Sequence, residues 1–304
     1  MREKSILVVG GSGFVGHSLC QQLKQADMDV INFSFEGNEI EGCVNIFGDV
    51  TDKSTVAHIF DQYPIRCVVN LASLLQSASN RNPLRAASVG VVGSLNLLEL
   101  CREHEVERFI FGSSTAVLRP SFDARQAVDE TSPVFASSTY EEIKRFVENM
   151  GVRIAKDNSF DFITGRISLV IGPGIPSKTS AYRTDIFNLL LSGGDIHIPF
   201  HLEEILPVCH FEDVAAGFVH LVKAPTLQHT IYHLPCESIA AEKMGGLVQR
   251  IGNNIQVTFG THRFANGAPF VEWGRIQAEL GANLIPLEQR LLAHKKFLSQ
   301  KEKK

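Results

Sequence analysis

The sequence offers little to bind a metal, a membrane or a nucleic acid. No two of its six cysteines (Cys20, Cys43, Cys67, Cys101, Cys209 and Cys236) form a CxxC pair. Several lie inside apolar runs, which points to reduced, mostly buried thiols. The eleven histidines are dispersed, and the densest group, His197, His201 and His210, does not show metal-ligand spacing, so no metal is expected. A net charge of −4 with scattered Lys and Arg, apart from the tail Lys301, Lys303 and Lys304, gives no positive field for nucleic acid. No apolar run approaches the roughly 18 residues that a spanning helix needs. An apolar strand begins within five residues of Met1, leaving no room for a signal peptide. The expectation is a cytoplasmic protein with no membrane or nucleic-acid partner. No repeat or low-complexity tract is visible.

The chain has 304 residues, 44% of them hydrophobic, enough for about two lobes. Short apolar runs at 6–9, 30–33, 67–71, 109–111 and 162–171 predict strands buried on both faces. Helical patterns lie between them at 14–25, 54–62, 84–104 and 140–156; in the first, Val15, Leu19 and Leu23 form one apolar stripe. This alternation predicts an α/β fold with a doubly wound parallel sheet. After Gly172-Pro173-Gly174 the texture changes to loops and short helices (185–191, 213–222). We assign residues 1–172 plus 205–235 to the nucleotide-binding domain and 173–204 plus 236–304 to a smaller C-terminal substrate lobe.

The first strand runs into Gly10-Gly11-Ser12-Gly13-Phe14-Val15-Gly16 and then a helix. Gly10 allows the tight turn, Gly13 lets the backbone approach a pyrophosphate, and Gly16 lets helix and sheet pack closely. The N–H groups of the helix start, at Gly13, Phe14 and Val15, favour phosphate. The second strand predicts a tip at Ser34, and Glu36 follows Gly16 by twenty residues, where an acid binds the adenosine ribose. No Lys or Arg lies between Asp27 and Asp52, so a 2′-phosphate meets no cation in this stretch, and NAD is expected rather than NADP. Asp49-Val50 follows the third strand; Asp49 offers a carboxylate either to the adenine amino group or to the next helix as a cap.

Tyr140 and Lys144 are four apart in a helical stretch and share a face. An ammonium beside a phenol stabilises the phenolate, which can then exchange a proton while hydride moves. Ser113-Ser114-Thr115 follows a strand directly, at the edge where ligands sit in such sheets. Together these segments resemble the extended short-chain dehydrogenase/reductase family, in its epimerase/dehydratase branch, with a Rossmann-type core. The 10–16 turn is similar to that family's GxxGxxG, Asp49-Val50 to its adenine motif, and Asn70-Leu71-Ala72-Ser73 to its cofactor-lining loop. Residues 109–117 (FIFGSSTAV) resemble its serine strand, Tyr140 and Lys144 its YxxxK, and 210–215 (HFEDVA) its V-D-D-V-A element.

The resemblance implies Tyr140 as acid/base, Lys144 as ribose ligand and depressor of the tyrosine pKa, and Ser114 as donor to the reacting oxygen. It implies cofactor contacts from Leu71, Ala72 and Ser73, and pairing of helices 84–104 and 140–156 in a homodimer. Several positions depart from the family. Glu141 and Ile143 replace the Gly and Ser of YGxSK, with Glu141 expected at the pocket mouth. Leu169 and Leu206-Pro207 replace polar handles for a nucleotide. The leading expectation is an NAD-dependent oxidoreductase, epimerase or dehydratase acting on a hydroxyl/carbonyl carbon of a sugar or sugar nucleotide. The alternatives are a carbonyl reductase or alcohol dehydrogenase on a non-nucleotide substrate, for which Leu169, Phe187 and Phe200 suggest an apolar pocket, and a non-catalytic dinucleotide-binding protein.

Overall fold

The computed structural model describes residues 4–118, 126–158, 160–174, 180–264 and 268–301. Its first six strands are β1 (Ser5–Val9), β2 (Val30–Ser34), β3 (Val44–Phe47), β4 (Ile65–Asn70), β5 (Arg108–Ser114) and β6 (Asp161–Ile167). Then follow β7 (Leu169–Ile171), β8 (Gly194–Phe200), β9 (Ile205–His210), β10 (Ile231–His233), β11 (Glu237–Ala240) and β12 (Ile255–His262). Seven of them form one parallel sheet in the order β3-β2-β1-β4-β5-β6-β10. The winding reverses between β1 and β4, and the carboxyl ends of these strands open the crevice where such sheets bind ligands.

Every residue of β1 is buried because helices cover both faces. Ile6 and Val8 pack with Leu19, Leu23 and Val214 on one side, while Leu7 and Val9 pack with Val56, Leu97 and Val147 on the other. The first side is roofed by helices Phe14–Gln25 and Phe211–Lys223, the second by Lys53–Gln62, Gly93–Glu103 and Thr139–Asn158. A third cluster, including Ile171, Ile186, Phe187, Leu206, Met244 and Leu291, forms the core of the smaller lobe. It is built on the three-stranded sheet β11-β9-β7 and the pair β12-β8.

Two strand expectations change. The run 162–171 is not one strand. β6 ends at Ile167, and β7 leaves the large sheet because Ile171 buries with the smaller lobe's core. The stretch 205–235 does not return whole to the large sheet. β9 pairs with β7 and β11, since Leu206 and Val208 also face that lobe's core, and only β10 joins β6. Conversely, Val271 and Ile276, placed with the C-terminal lobe, bury in the large domain's first cluster.

Residues Pro83–Glu103 run as helix Pro83–Ala87, a π-turn at Ser88–Val92 and helix Gly93–Glu103. By length and composition this run is apolar enough to cross a bilayer, contrary to the sequence reading. Here Leu97, Leu98, Leu100 and Cys101 are buried against the sheet, where a membrane span would turn them to lipid. From the helix that follows, the Ser94 hydroxyl donates back to the Gly90 carbonyl of the π-turn at 2.6 Å. A side chain at Gly90 would lie 2.4 Å from Ile143 Cγ2, so the missing Cβ lets the helix carrying Tyr140 and Lys144 approach. Gly90→Ala is therefore expected to cost about 1–3 kcal/mol, and adding Ile143→Ala should return part of that loss. Urea unfolding of both single variants and the double variant measures the coupling; strictly additive losses would contradict the contact.

Candidate active site

The glycine turn leaves β1 with Gly10 at φ +83°, its N–H bonded to the Phe33 carbonyl at 2.7 Å. The Gly13 N–H donates to the Gly10 carbonyl at 3.0 Å. A Cβ on Gly16 would stand 2.2 Å from that same carbonyl oxygen, so glycine is required for the helix to seat. Gly13 caps the helix without a side chain, and a Cβ there would meet only the Gly10 carbonyl, at 3.1 Å. An open cradle therefore faces the helix start at Phe14 and Val15, whose N–H groups have no partner inside the helix. A pyrophosphate fits this cradle.

The β2 tip braces the turn. Ser34 is buried; its hydroxyl accepts from the Ser12 N–H at 2.9 Å and donates to Asn32 Oδ1 at 2.9 Å. Asn32, which sequence reasoning missed, donates in turn to the Ser12 hydroxyl at 3.0 Å. Glu36 is exposed, on a loop that folds back so that Gly37 lies against Ser12. Asp49 does not cap the following helix. Asp52 does, accepting from the N–H groups of Ser54 and Thr55. Asp49 instead accepts from the Thr51 N–H and hydroxyl and pairs with Arg85 at 2.8 Å. Arg85 also sits 5.3 Å over the exposed Phe35 ring. The fold thus brings a cation from far along the chain to the loop after β2, and Asp49 engages its charge. Val50 is buried and fills the space left by Gly93.

The loop after β4 crosses the turn. Leu71 N–H donates to the Val9 carbonyl at 2.8 Å, and Ala72 N–H to Asn70 Oδ1 at 3.1 Å. A Cβ on Gly10 would lie 3.1 Å from the Ala72 nitrogen, and one on Gly112 would lie 2.7 Å from Leu71 Cδ2. Leu71 and Ala72 therefore bridge the turn and β5. Ser73 follows, its hydroxyl donating to the Leu74 carbonyl at 3.1 Å.

The helix Thr139–Asn158 starts with a reciprocal cap. The Ser138 hydroxyl accepts from the Glu141 N–H, and the Glu141 carboxylate accepts from the N–H groups of Ser137 and Ser138. Glu141 is 1% exposed, so it does not stand at the pocket mouth; it fixes the turn that carries Tyr140. Both departures from YGxSK thus have structural roles, since Ile143 occupies the hollow at Gly90.

Lys144 is buried, its Nζ donating to the Gly112 carbonyl at 2.7 Å and lying 5.5 Å from the Tyr140 ring centre. Burial pulls its pKa down to about 8, opposed by the charge of Glu148 one turn on. Glu148 also went unnoticed in the sequence. It accepts from the Ser113 hydroxyl at 2.6 Å and from Arg166 Nε and Nη2 at 3.0 and 2.8 Å. Ser113 and Arg166 are directly paired across β5 and β6, so both side chains meet the same carboxylate.

The Ser114 Oγ donates to the Ile167 carbonyl at 3.3 Å and accepts from the Ala116 N–H at 3.2 Å. Burial raises the Tyr140 pKa above the ordinary phenol value; Ser114 and the Arg183 guanidinium pull it back, and Glu141 pushes it up. The Lys144 ammonium lies beside the Tyr140 ring and is held by a backbone carbonyl. Phe187 is completely buried in the smaller lobe's core rather than lining a pocket, with Leu169 and Phe200 half-buried against that core. His210 caps the helix Phe211–Lys223, and Asp213 is bonded to Arg290 of the C-terminal helix Leu287–Lys301.

A charged Lys144 is disfavoured by burial in the folded chain, so its lowered pKa costs stability below the unfolded value and the cost fades as pH rises. Without cofactor, the melting temperature of Lys144→Met relative to wild type should fall steadily between pH 8 and 10.5. A difference independent of pH across that window would contradict the assigned environment of the ammonium.

Several known proteins are similar to this chain. UDP-glucose 4-epimerase of Erwinia amylovora is 36% identical over 168 residues, covering 51% of this chain and 49% of that protein. The chain spans about half the length, or less, of several curated relatives that it matches. D-erythronate dehydrogenase of Haemophilus influenzae is 27% identical over 257 residues, 79% of each chain. The crystal structure of L-threonine dehydrogenase from Phytophthora infestans superposes with a TM-score of 0.87 at 23% identity, covering 98% of this chain and 100% of that one, which shows the shared fold. The model of the NAD dependent epimerase/dehydratase family matches residues 6–234, and the chain belongs to that family, whose cofactor is NAD.

Proposed function

We propose that this protein is an NAD-dependent dehydrogenase of a small polyhydroxylated, sugar-like substrate, with Tyr140 as its acid/base. The carrying observation is that Tyr140 and Lys144 share one helix whose Lys144 Nζ is bonded at 2.7 Å to the Gly112 carbonyl of β5, the strand that ends in Ser114, one strand from the loop that spans the glycine turn. Bound NAD supplies the hydride acceptor for oxidation of the carbinol carbon. Gly10, Gly13, Phe14, Val15 and Gly16 hold its pyrophosphate. Ser34 shapes the ribose edge from behind the turn, Glu36 reaches the ribose itself, and Asp49 and Val50 border the adenine. Leu71, Ala72 and Ser73 lie along the cofactor.

As the carbinol becomes a carbonyl, its hydroxyl proton passes to Tyr140 in its phenolate form, and the reacting oxygen accepts a hydrogen bond from the Ser114 hydroxyl. Lys144, released from the Gly112 carbonyl, anchors the nicotinamide ribose and places positive charge beside the phenolate.

Apolar residues at two described positions, Leu169 and Leu206, favour a free substrate over a sugar nucleotide. Leu206 is fully buried in the smaller lobe's core and Leu169 packs on that core, so neither position offers a polar group to a diphosphate. The 79% mutual coverage with D-erythronate dehydrogenase supports a small sugar-like substrate. Epimerisation remains the second reading, supported by the 36% identity to a UDP-glucose 4-epimerase. A cytoplasmic location and a homodimer complete the proposal. Exposed Leu84, Val92, Phe146 and Val152 on the two long helices give two copies an apolar face to share.

Tyr140→Phe should lower kcat by about 10²–10⁴ while NAD affinity, measured by fluorescence titration, stays close to wild type. Undiminished turnover in this variant would refute the acid/base role.

A further inference from the structure

Arg183 has no part in the proposed cofactor chemistry, yet its charge acts on Tyr140. It follows Tyr182 in the short helix Tyr182–Asn188, and its carbonyl accepts from the Gly172 N–H at 3.1 Å, which ties the helix to the end of β7. The Nε of Arg183 is buried without a hydrogen-bond partner, and so is the Tyr182 hydroxyl, on a side chain only 3% exposed. Among the described residues no carboxylate forms an ion pair with Arg183. Two neighbouring buried polar groups left unmatched call for an acceptor from outside the chain. The guanidinium carbon lies 5.9 Å from the Tyr182 ring centre, and its charge acts on Tyr140, on Tyr182 and on Cys209 of β9.

We infer that Arg183, with the Tyr182 hydroxyl beside it, holds the carboxylate of a hydroxy-acid substrate next to Tyr140. This deepens the dehydrogenase proposal and rests on Tyr140 as the reacting group. A guanidinium presents two parallel N–H bonds that match a carboxylate's two oxygens, and the phenol adds a third donor. One cation balances one negative charge. The stretch Leu206-Pro207 of β9 supplies no second cation for a diphosphate, so a monoanion is the better match. The carboxylate then fixes which hydroxyl of the acid faces Tyr140, which makes Arg183 a specificity determinant.

The test is calorimetric titration of the NAD-loaded protein with aldonic acids of three to six carbons (glycerate to gluconate). The matching neutral alditols and the alditol phosphates form the other two arms. Wild type should bind at least one acid more tightly than its alditol. Arg183→Met should weaken that acid by about 10- to 100-fold and leave the alditol unchanged, while Arg183→Lys restores part of the preference. Equal loss for acid and alditol, or no acid preference in wild type, would overturn the proposal. An Arg183-dependent preference for the phosphates alone would overturn the carboxylate assignment. Repeated in the Tyr140→Phe background, where oxidation of the acid is slowed, the titration should show the same preference, and failure of the acid/base role is seen separately as undiminished turnover in that variant.

Discussion

The Glu148 carboxylate ties the site together. It is buried, and it joins three elements: Ser113 on β5, Arg166 on β6 and, through its charge, Lys144 on the helix above them. Taking a carboxylate and a guanidinium out of water is costly, and the geometry must be good to offset it. Here the carboxylate accepts from both Nε and Nη2 of Arg166 and from a serine hydroxyl, so most of its hydrogen-bonding capacity is met. A helix held by apolar packing alone could slide by small steps; one pinned by a directional ionic cluster cannot without leaving a charge unmatched. The same cluster puts a negative charge near Lys144, which keeps a buried ammonium affordable to the fold.

Around that pin the parallel sheet does the rest of the positioning. Because the winding reverses between β1 and β4, the glycine turn, the Leu71–Ser73 loop and Ser114 all emerge on one edge. Close backbone approaches then set the spacing: Gly16 against the Gly10 carbonyl, Gly112 under Leu71, and Gly90 under Ile143. The smaller lobe closes the opposite side, clamped by Arg290 to Asp213 and Glu212. Its Arg183 opposes the effect of burial on Tyr140.

Much of this was legible in the sequence, for reasons that are local. Strand β1, the 10–16 turn and the helix after it declare themselves through continuous apolar residues and glycine spacing. Tyr140, Lys144 and Ser114 were visible through helix periodicity and strand ends. What escaped depended on contacts across the chain. Asn32 and Glu148 look like ordinary polar residues until Ser12, Ser113 and Arg166 are placed beside them. Arg85 reaches Asp49 from thirty-six positions away, so a search for cations near the β2 tip could not find it. Glu141 looked like a pocket residue because its helix-capping partners, Ser137 and Ser138, are seen only once the helix start is known. The path of β7 and β9 was misjudged because apolar runs do not say which of two cores will bury them.

A crystal structure with NAD bound tests the central claim most directly. The nicotinamide ribose should lie within hydrogen-bond distance of both Tyr140 Oη and Lys144 Nζ, with the pyrophosphate over the Phe14 and Val15 N–H groups. A ribose seated elsewhere, with Lys144 still bonded to the Gly112 carbonyl, would contradict the account.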